Sequence, residues 1–467
     1  MNDFEEALHR VAARHHGRAL PIRRSSNLSS DPDTTIGIAT IKIVTEEQVQ
    51  AIAFGRIGDT PEILVRLDPI SRDVSDLEPF AAFLTGIADE AHARDGALRV
   101  WVPHAGTLES LDVLGHRYWR NQQASDAIRR MGETCRIIAH EQAFPGQQTI
   151  ADAAALLRAH VITGMTPMEE GHLHAILAWL DPAVRHPLEE ARDRIRVPAS
   201  GVLPNTPDQP LDDRVDRLRR EAKGATGTRR TILHGQIADI LSRSVIREWD
   251  LMVAARAAFL RLALPTPGLA DLGKDSAKRI KEGIEFGHYP ARSPERLTIQ
   301  LGQMEVGQQR ADQAAVENDP VLRAQSRSAG AVVLGRIGVV DQPQRGRKPC
   351  SIQVDSDQRV IRLRRDDKIK ILGSNVTGVV RGVDVAPGGG VRVTIEITNG
   401  VKSSNVLAIG TMVEVLEAGF GFVNIKALNT ARDRQPWAFY AESMPSIATL
   451  AGPSGSLLDI ARRSRLS

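Results

Sequence analysis

Apolar positions along this 467-residue chain fall into three textures. From 34 to 148 short β-branched runs alternate with helical spacing. Ile36, Ile38, Ile41 and Ile43 predict a first strand, Val49–Phe54 a second and Ile63–Leu67 a third. Phe80, Phe83, Leu84, Ile87 and Ala91 recur at helical spacing, with Asp76 placed to cap that helix and Pro79 in its first turn. Leu98–Val102 reads as a fourth strand, 106–132 as one long helix, and Cys135–Ile138 as a short fifth strand.

From 149 to 329 the spacing is helical. Leu156, Leu157, His160 and Val161 form one stripe, and Leu173, Ile176, Leu177 and Leu180 another. Prolines and glycines over 197–228 predict a linker. A long helix is expected over 229–264, with Ile237, Leu241, Val245, Trp249, Met252 and Phe259 on one side. Ser293-Pro294-Glu295 starts a further helix and Asn318-Asp319-Pro320 ends it. From 330 to 430 short strands recur between glycine-rich turns, among them Ser351–Val354, Val360–Leu363, Ile369–Leu372 and Val391–Ile397.

Three adjacent strands followed by α/β alternation is the element order of an RNase H-like fold. The expected fold class is therefore α+β multidomain: an RNase H-like α/β domain, a helical arm and a small β-barrel. The divisions are 1–33 (N-terminal helix and loop), 34–148 (RNase H-like, degenerate), 149–329 (helical, linker near 197–228), 330–430 (basic β-barrel) and 431–467 (tail).

Composition narrows the class. Hydrophobic residues are 42% and charged residues 25%, the balance of a globular chain. No apolar run is long enough for a membrane span, and the opening MNDFEEALHR lacks a signal-peptide stretch. Cys135 and Cys350 are the only cysteines, which excludes a disulfide framework and suits a reducing cytoplasm. The net charge of +3 hides a basic stretch: Arg336–Arg381 holds eleven Lys/Arg against five Asp/Glu. Clustered cations are what phosphate neutralisation requires. Arg345, Arg347, Lys348, Arg362, Arg364, Arg365, Lys368 and Lys370 are the candidate nucleic-acid contacts, with strand alternation expected to put Arg362 and Arg364 on one face and Arg365 on the other.

Most candidate chemistry fails on spacing. A two-metal nuclease needs a shared carboxylate mid-way along the first strand, yet Thr35–Val44 holds no Asp or Glu. Glu46, Glu47, Asp68, Glu109 and Asp112 lie elsewhere. The segment Gly268–Asp275 ends in Asp where a phosphate loop needs Ser or Thr. Gly335-Arg336-Ile337-Gly338 lies between strands, with no helix N-terminus for phosphate. Glu170 and His174 form at most a pair, His140-Glu141 lacks a second metalloprotease histidine, and His15-His16 reads as a solvated end. His104 closes the fourth strand, where α/β folds carry functional groups. No catalytic residue, metal site or cofactor is assigned.

Arg99–His104 through Leu111, with Tyr118-Trp119, resembles the fourth strand and following helix of the RNase H-like, RecB-like nuclease domain of bacterial superfamily 1 helicases. Arg247-Glu248-Trp249 with Phe259 is similar to their helical arm. Ile361–Ile369 and Pro436-Trp437 resemble the β-barrel before their motor domains. The resemblance implies a front half of such a machine without the motor. It would be a non-catalytic accessory protein that binds DNA or RNA beside a separate ATP-driven motor, in phage defence or genome maintenance. A metal-dependent nuclease with an unusual carboxylate set and a protein-interaction scaffold are the alternatives.

Overall fold

A computed structural model describes residues 3–43, 48–71, 73–196, 201–207, 209–288, 294–341, 350–386, 389–400 and 407–418. The chain divides into a large unit, Met1–Pro290 with Gly307–Phe420, and a small one, Ala291–Val306 with Gly421–Ser467. Arg345, Arg347, Lys348 and the tail 431–467 lie outside the described residues.

The first elements are α1 (Asp3–His16), β1 (Leu20–Pro21), β2 (Thr35–Lys42), β3 (Val49–Arg56), β4 (Glu62–Val65), α2 (Glu78–Ala93) and β5 (Arg99–Val102). Then come α3 (Ala105–Tyr118), α4 (Asp126–Glu141), β6 (Ile150–Asp152), α5 (Ala153–His160) and β7 (Val161–Ile162). One sheet has the order β4-β3-β2-β5-β6. β2 runs antiparallel to β3 and parallel to β5; β3 and β4 are antiparallel, and β5 and β6 parallel.

The central strand shows why the sheet is covered on both faces. On β2, Ile36 and Ile38 pack with Phe80, Leu84 and Leu111 from α2 and α3. The alternate residues Gly37, Ala39 and Ile41 face the long helix α9 (Gly227–Arg261). Small residues on that face let the helix come close: a Cβ on Gly37 would meet Met252 Cε at 2.5 Å and Trp249 at 2.7 Å. At 1.5 Å per residue α9 is about 52 Å long, and its buried stripe is Ile237, Leu241, Val245, Trp249, Met252 and Phe259.

Three local expectations fail here. The 106–132 helix is broken at Trp119–Ala124, and Cys135–Ile138 lies within α4, not in a strand. Ser125 caps α4 by accepting from Ile128 N, and Ile128, Met131, Cys135 and Ile138 bury one helical stripe. The fifth strand is the three-residue β6, too short to show a period. Asp76 does not cap α2; its carboxylate accepts from Arg66 Nε at 2.8 Å, and a 3₁₀ turn over Ser75–Leu77 leads into the helix. Nor is 197–228 merely a linker.

Further helices are α6 (Leu173–Leu180), α7 (Pro187–Ile195), α8 (Leu211–Gly224), α10 (Leu269–Phe286), α11 (Pro294–Asn318) and α12 (Pro320–Ser328). Six strands follow: β8 (Val332–Asp341), β9 (Cys350–Ser356), β10 (Lys368–Ile371), β11 (Thr377–Val385), β12 (Val391–Asn399) and β13 (Met412–Glu417). They join antiparallel in the order β10-β11-β12-β9-β8-β13 and close through β10 with β13. Val333, Ile352, Ile369, Val380, Ile395 and Val415 fill the interior. Val360–Leu363, expected as a strand, joins no ladder. Arg362 N donates to Gly330 O at 2.7 Å, and Leu363 alone of the four is fully buried.

Candidate nucleic-acid interface

Two groups of basic residues occupy unlike environments. Between Arg214 and Arg230 lie seven basic and two acidic residues. The prolines before them tighten the chain, and Leu211 N donates to Pro204 O at 3.0 Å as α8 begins. Asp212 and Asp213 suit the positive end of that helix. Val215, Leu218 and Ala222 then bury its inner stripe in the core shared with α9. Arg219 points inward and pins the helix to the sheet edge, donating to Leu67 O and Arg66 O at 3.1 Å each and to Gln50 Oε1.

The outer face is different. Arg214, Arg217, Arg220, Lys223, Arg229 and Arg230 are exposed and make no ion pair among the described residues. Arg220, Lys223 and Arg230 meet at a cleft of about 250 Å³ that His234, Asp68 and Asp216 also line. Arg214 borders a second cleft of about 520 Å³, with Arg243 and Arg247.

In the barrel, three described cations, Lys370, Arg381 and Arg392, are paired with acids, whereas Arg336 and Arg359 have no acid partner among the described residues. Lys370 pairs with Glu317 at 2.6 Å, and Arg381 with Asp366 at 2.9 Å and Glu396 at 2.5 Å. Arg392 pairs with Asp355 at 2.6 Å, and Arg323 and Arg327 of α12 reach Glu414 of β13 at 3.3 and 3.5 Å. Arg362 Nε donates to Ala329 O at 3.0 Å. Arg364, Arg365 and Lys368 are exposed; Arg364 N donates to the Asp367 carboxylate at 2.6 Å. Because 360–363 is not a strand, the expected two-face alternation does not hold: Arg362, Arg364 and Arg365 are all exposed around buried Leu363.

The C-terminal edge of β2 and β5 carries a polar cluster of its own. Thr40 stands in β2, fully buried, its hydroxyl 3.4 Å from that of Thr107. His104, the extended residue before α3, lies with Nε2 3.2 Å from the Glu248 carboxylate of α9. Glu248 also accepts from Gly201 N at 3.1 Å. Gly201 has φ +70, and a Cβ there would stand 2.5 Å from His104 Cε1, so only glycine fits. Its neighbours extend β2: Lys42 N donates to Gly201 O and Leu203 N to Lys42 O, each at 2.8 Å. At the end of β6, burial raises the Asp152 carboxyl above its usual range, against a bond from Ala155 N and the nearby His104.

The other acids do not converge. Asp68 lines the α8 cleft, Glu109 pairs with Lys42 at 3.2 Å, and Asp112 lies 3.1 Å from His116. Glu170 and His174 separate too. Glu170 takes Arg10 at 2.8 Å and Thr163, whereas His174 Nδ1 accepts from Arg247 at 3.0 Å. Burial, then Arg247 and Arg194, lower the His174 pKa to about 4. Gly268–Asp275 opens α10, with Lys274 3.7 Å from Asp271.

Sequence reading missed the α8 surface because proline and glycine density masked a fourteen-residue helix. Its signal was the charge count over 214–230 combined with the Val215, Leu218 and Ala222 spacing. Comparison with protein-family models, curated proteins and solved structures finds no match. Among the described residues, no helix is long and apolar enough to cross a membrane.

Proposed function

We propose that this chain is a non-catalytic nucleic-acid-binding protein whose principal phosphate-contacting surface is the outer face of α8 and the start of α9. The observation that carries the reading is the set of six exposed cations there that no acid of the described residues neutralises. Such groups displace the counterions condensed on the nucleic acid when they meet its phosphates, which is the main source of affinity for the backbone. The strand order β4-β3-β2-β5-β6, antiparallel first and parallel after, supports an RNase H-like sheet. Thr40 in the place of a metal-bridging carboxylate supports binding without cleavage. The barrel cations Arg362, Arg364, Arg365, Lys368 and Lys370 are a secondary contact in this reading, and a separate ATP-driven motor is its proposed partner.

Binding of the full chain to labelled single- and double-stranded DNA and RNA at rising salt tests this. The expected result is affinity that falls steeply with salt and is lost when Arg220, Lys223, Arg229 and Arg230 are changed to Glu. Salt-independent binding, or none, overturns it. Magnesium- or manganese-dependent cleavage that disappears in Glu248→Gln or Asp152→Asn favours the nuclease alternative. ATP hydrolysis by the chain alone overturns the motor partnership.

A further inference from the structure

Helices α3 and α4 approach each other at two glycines. A Cβ on Gly115 would collide with Arg136 Cγ, and one on Gly132 would meet Trp119 N at 2.6 Å. With no side chains between the backbones, Asp112 and His116 of α3 come beside His140 of α4. The i, i+4 spacing of the first two already places them on one helix face. One ligand atom from each of the three residues lies within 4.8 Å of the other two. Asp112 Oδ1 is 3.1 Å from His116 Nδ1 and 3.9 Å from His140 Nε2. That oxygen is buried and accepts no hydrogen bond. The two imidazole centroids are 6.3 Å apart.

Tetrahedral zinc, with bonds of about 2.1 Å, needs its ligand atoms about 3.4 Å from one another. The two measured separations bracket that distance, so small rotamer changes suffice. We propose that Asp112, His116 and His140 bind one divalent transition-metal ion of the zinc class, with water completing its coordination. Two imidazoles and one carboxylate select zinc, nickel or copper over magnesium and calcium, which prefer oxygen alone. Three protein ligands leave a position open. Both histidines are exposed, so the ion enters from solvent without opening the helix pair.

Two features oppose the ion. His116 Nδ1 also lies 3.0 Å from the main-chain oxygen of Asp112, an acceptor only, so that bond and its proton must be given up. The second is a cation that stands close by. The Arg136 guanidinium lies 3.8 Å from the Trp119 ring centroid, and its charge interacts with Asp112. Two of its nitrogens are buried without a hydrogen bond, so its charge is poorly screened from that carboxylate. The site uses none of the α8 and α9 cations, and its failure would leave the nucleic-acid reading untouched.

Calorimetric titration of the chelator-treated full chain with Zn²⁺ tests the proposal, with Mg²⁺ as the contrasting ion. One Zn²⁺ per chain is expected, with no response to Mg²⁺. His140→Ala and Asp112→Asn should each weaken Zn²⁺ binding by at least about tenfold. Arg136→Gln should tighten it, and the double variant His15→Ala/His16→Ala should leave it unchanged. Co²⁺ gives a second readout, a visible absorption band present in the wild type and absent in His140→Ala. Circular dichroism verifies that each surface variant is folded. No Zn²⁺ binding by the wild type, or undiminished binding in both His140→Ala and Asp112→Asn, overturns the site. Loss of binding in the His15/His16 variant assigns the ion to the N-terminal pair and also overturns it.

Discussion

The barrel and the α8–α9 surface are both rich in cations, and they differ in what those cations touch. In the barrel, strand pairing sets acids beside bases. Arg381 on β11 stands next to Glu396 on β12, and Arg392 on β12 next to Asp355 on β9. On α8, Asp212 and Asp213 sit in the first turn and Asp216 and Glu221 lie among the bases, yet among the described residues none of them forms an ion pair with the exposed bases of α8 and the start of α9. A count of charges ranks the barrel first. Among the described residues, six exposed cations of α8 and the start of α9 have no acid partner, against five in the barrel, Arg336, Arg359, Arg362, Arg364 and Arg365. Phosphate binding depends on the second count, because a cation already bonded to a carboxylate displaces few of the counterions condensed on nucleic acid.

The largest effect should come from reversing the helical surface. Arg220→Glu, Lys223→Glu, Arg229→Glu and Arg230→Glu together should lower affinity by about 100-fold or more, equivalent to about 3 kcal/mol. The slope of log affinity against log salt should fall by about 3 to 4, at close to one unit per lost contact. Changing Arg362, Arg364 and Arg365 to Gln should cost about threefold or less on the same assay. A barrel triple variant weaker than the helical quadruple would invert the comparison.

Next in size is the docking of the segment that leads into α8. Gly201→Ala puts a Cβ against His104 in a left-handed backbone, and should destabilise the chain by about 1–3 kcal/mol in urea. Weaker nucleic-acid binding in the same variant would show that the basic surface depends on that docked segment. Unchanged stability would mean that His104 and Glu248 separate at little cost.

A pH effect should follow from His174, whose folded pKa near 4 lies below its ordinary value of 6.5. The unfolded chain takes up this proton first, so its contribution is intact above about 6.5 and is lost as pH falls toward 4. The melting temperature should drop over that window, and His174→Gln should flatten the drop. Smallest of all should be Glu317→Gln, which frees Lys370. Affinity for nucleic acid should rise no more than about threefold, with stability changed by less than about 1 kcal/mol, as for a part-exposed ion pair. A large rise would show that the barrel is a masked binding surface.

Local pattern determined much of the architecture. The alternation of Ile36-Gly37-Ile38-Ala39 marks a strand with a bulky face and a small one, and the Ile237-to-Phe259 stripe marks a long helix. In the folded chain the small face meets that helix. These are properties of adjacent residues and their period, so the sequence carries them. Reading failed where length or context outweighed period. β6 has three residues, α4 was hidden by a β-branched run, and Val360–Leu363 has strand composition without a strand neighbour. Tertiary structure alone decided which charges remain free and which distant polar groups meet. Asp112 and His140 are 28 positions apart, His104 and Glu248 are 144 apart, and Lys370 and Glu317 are 53 apart. Such contacts come from the packing of whole helices and the closing of the barrel, where the position of each side chain depends on elements far along the chain.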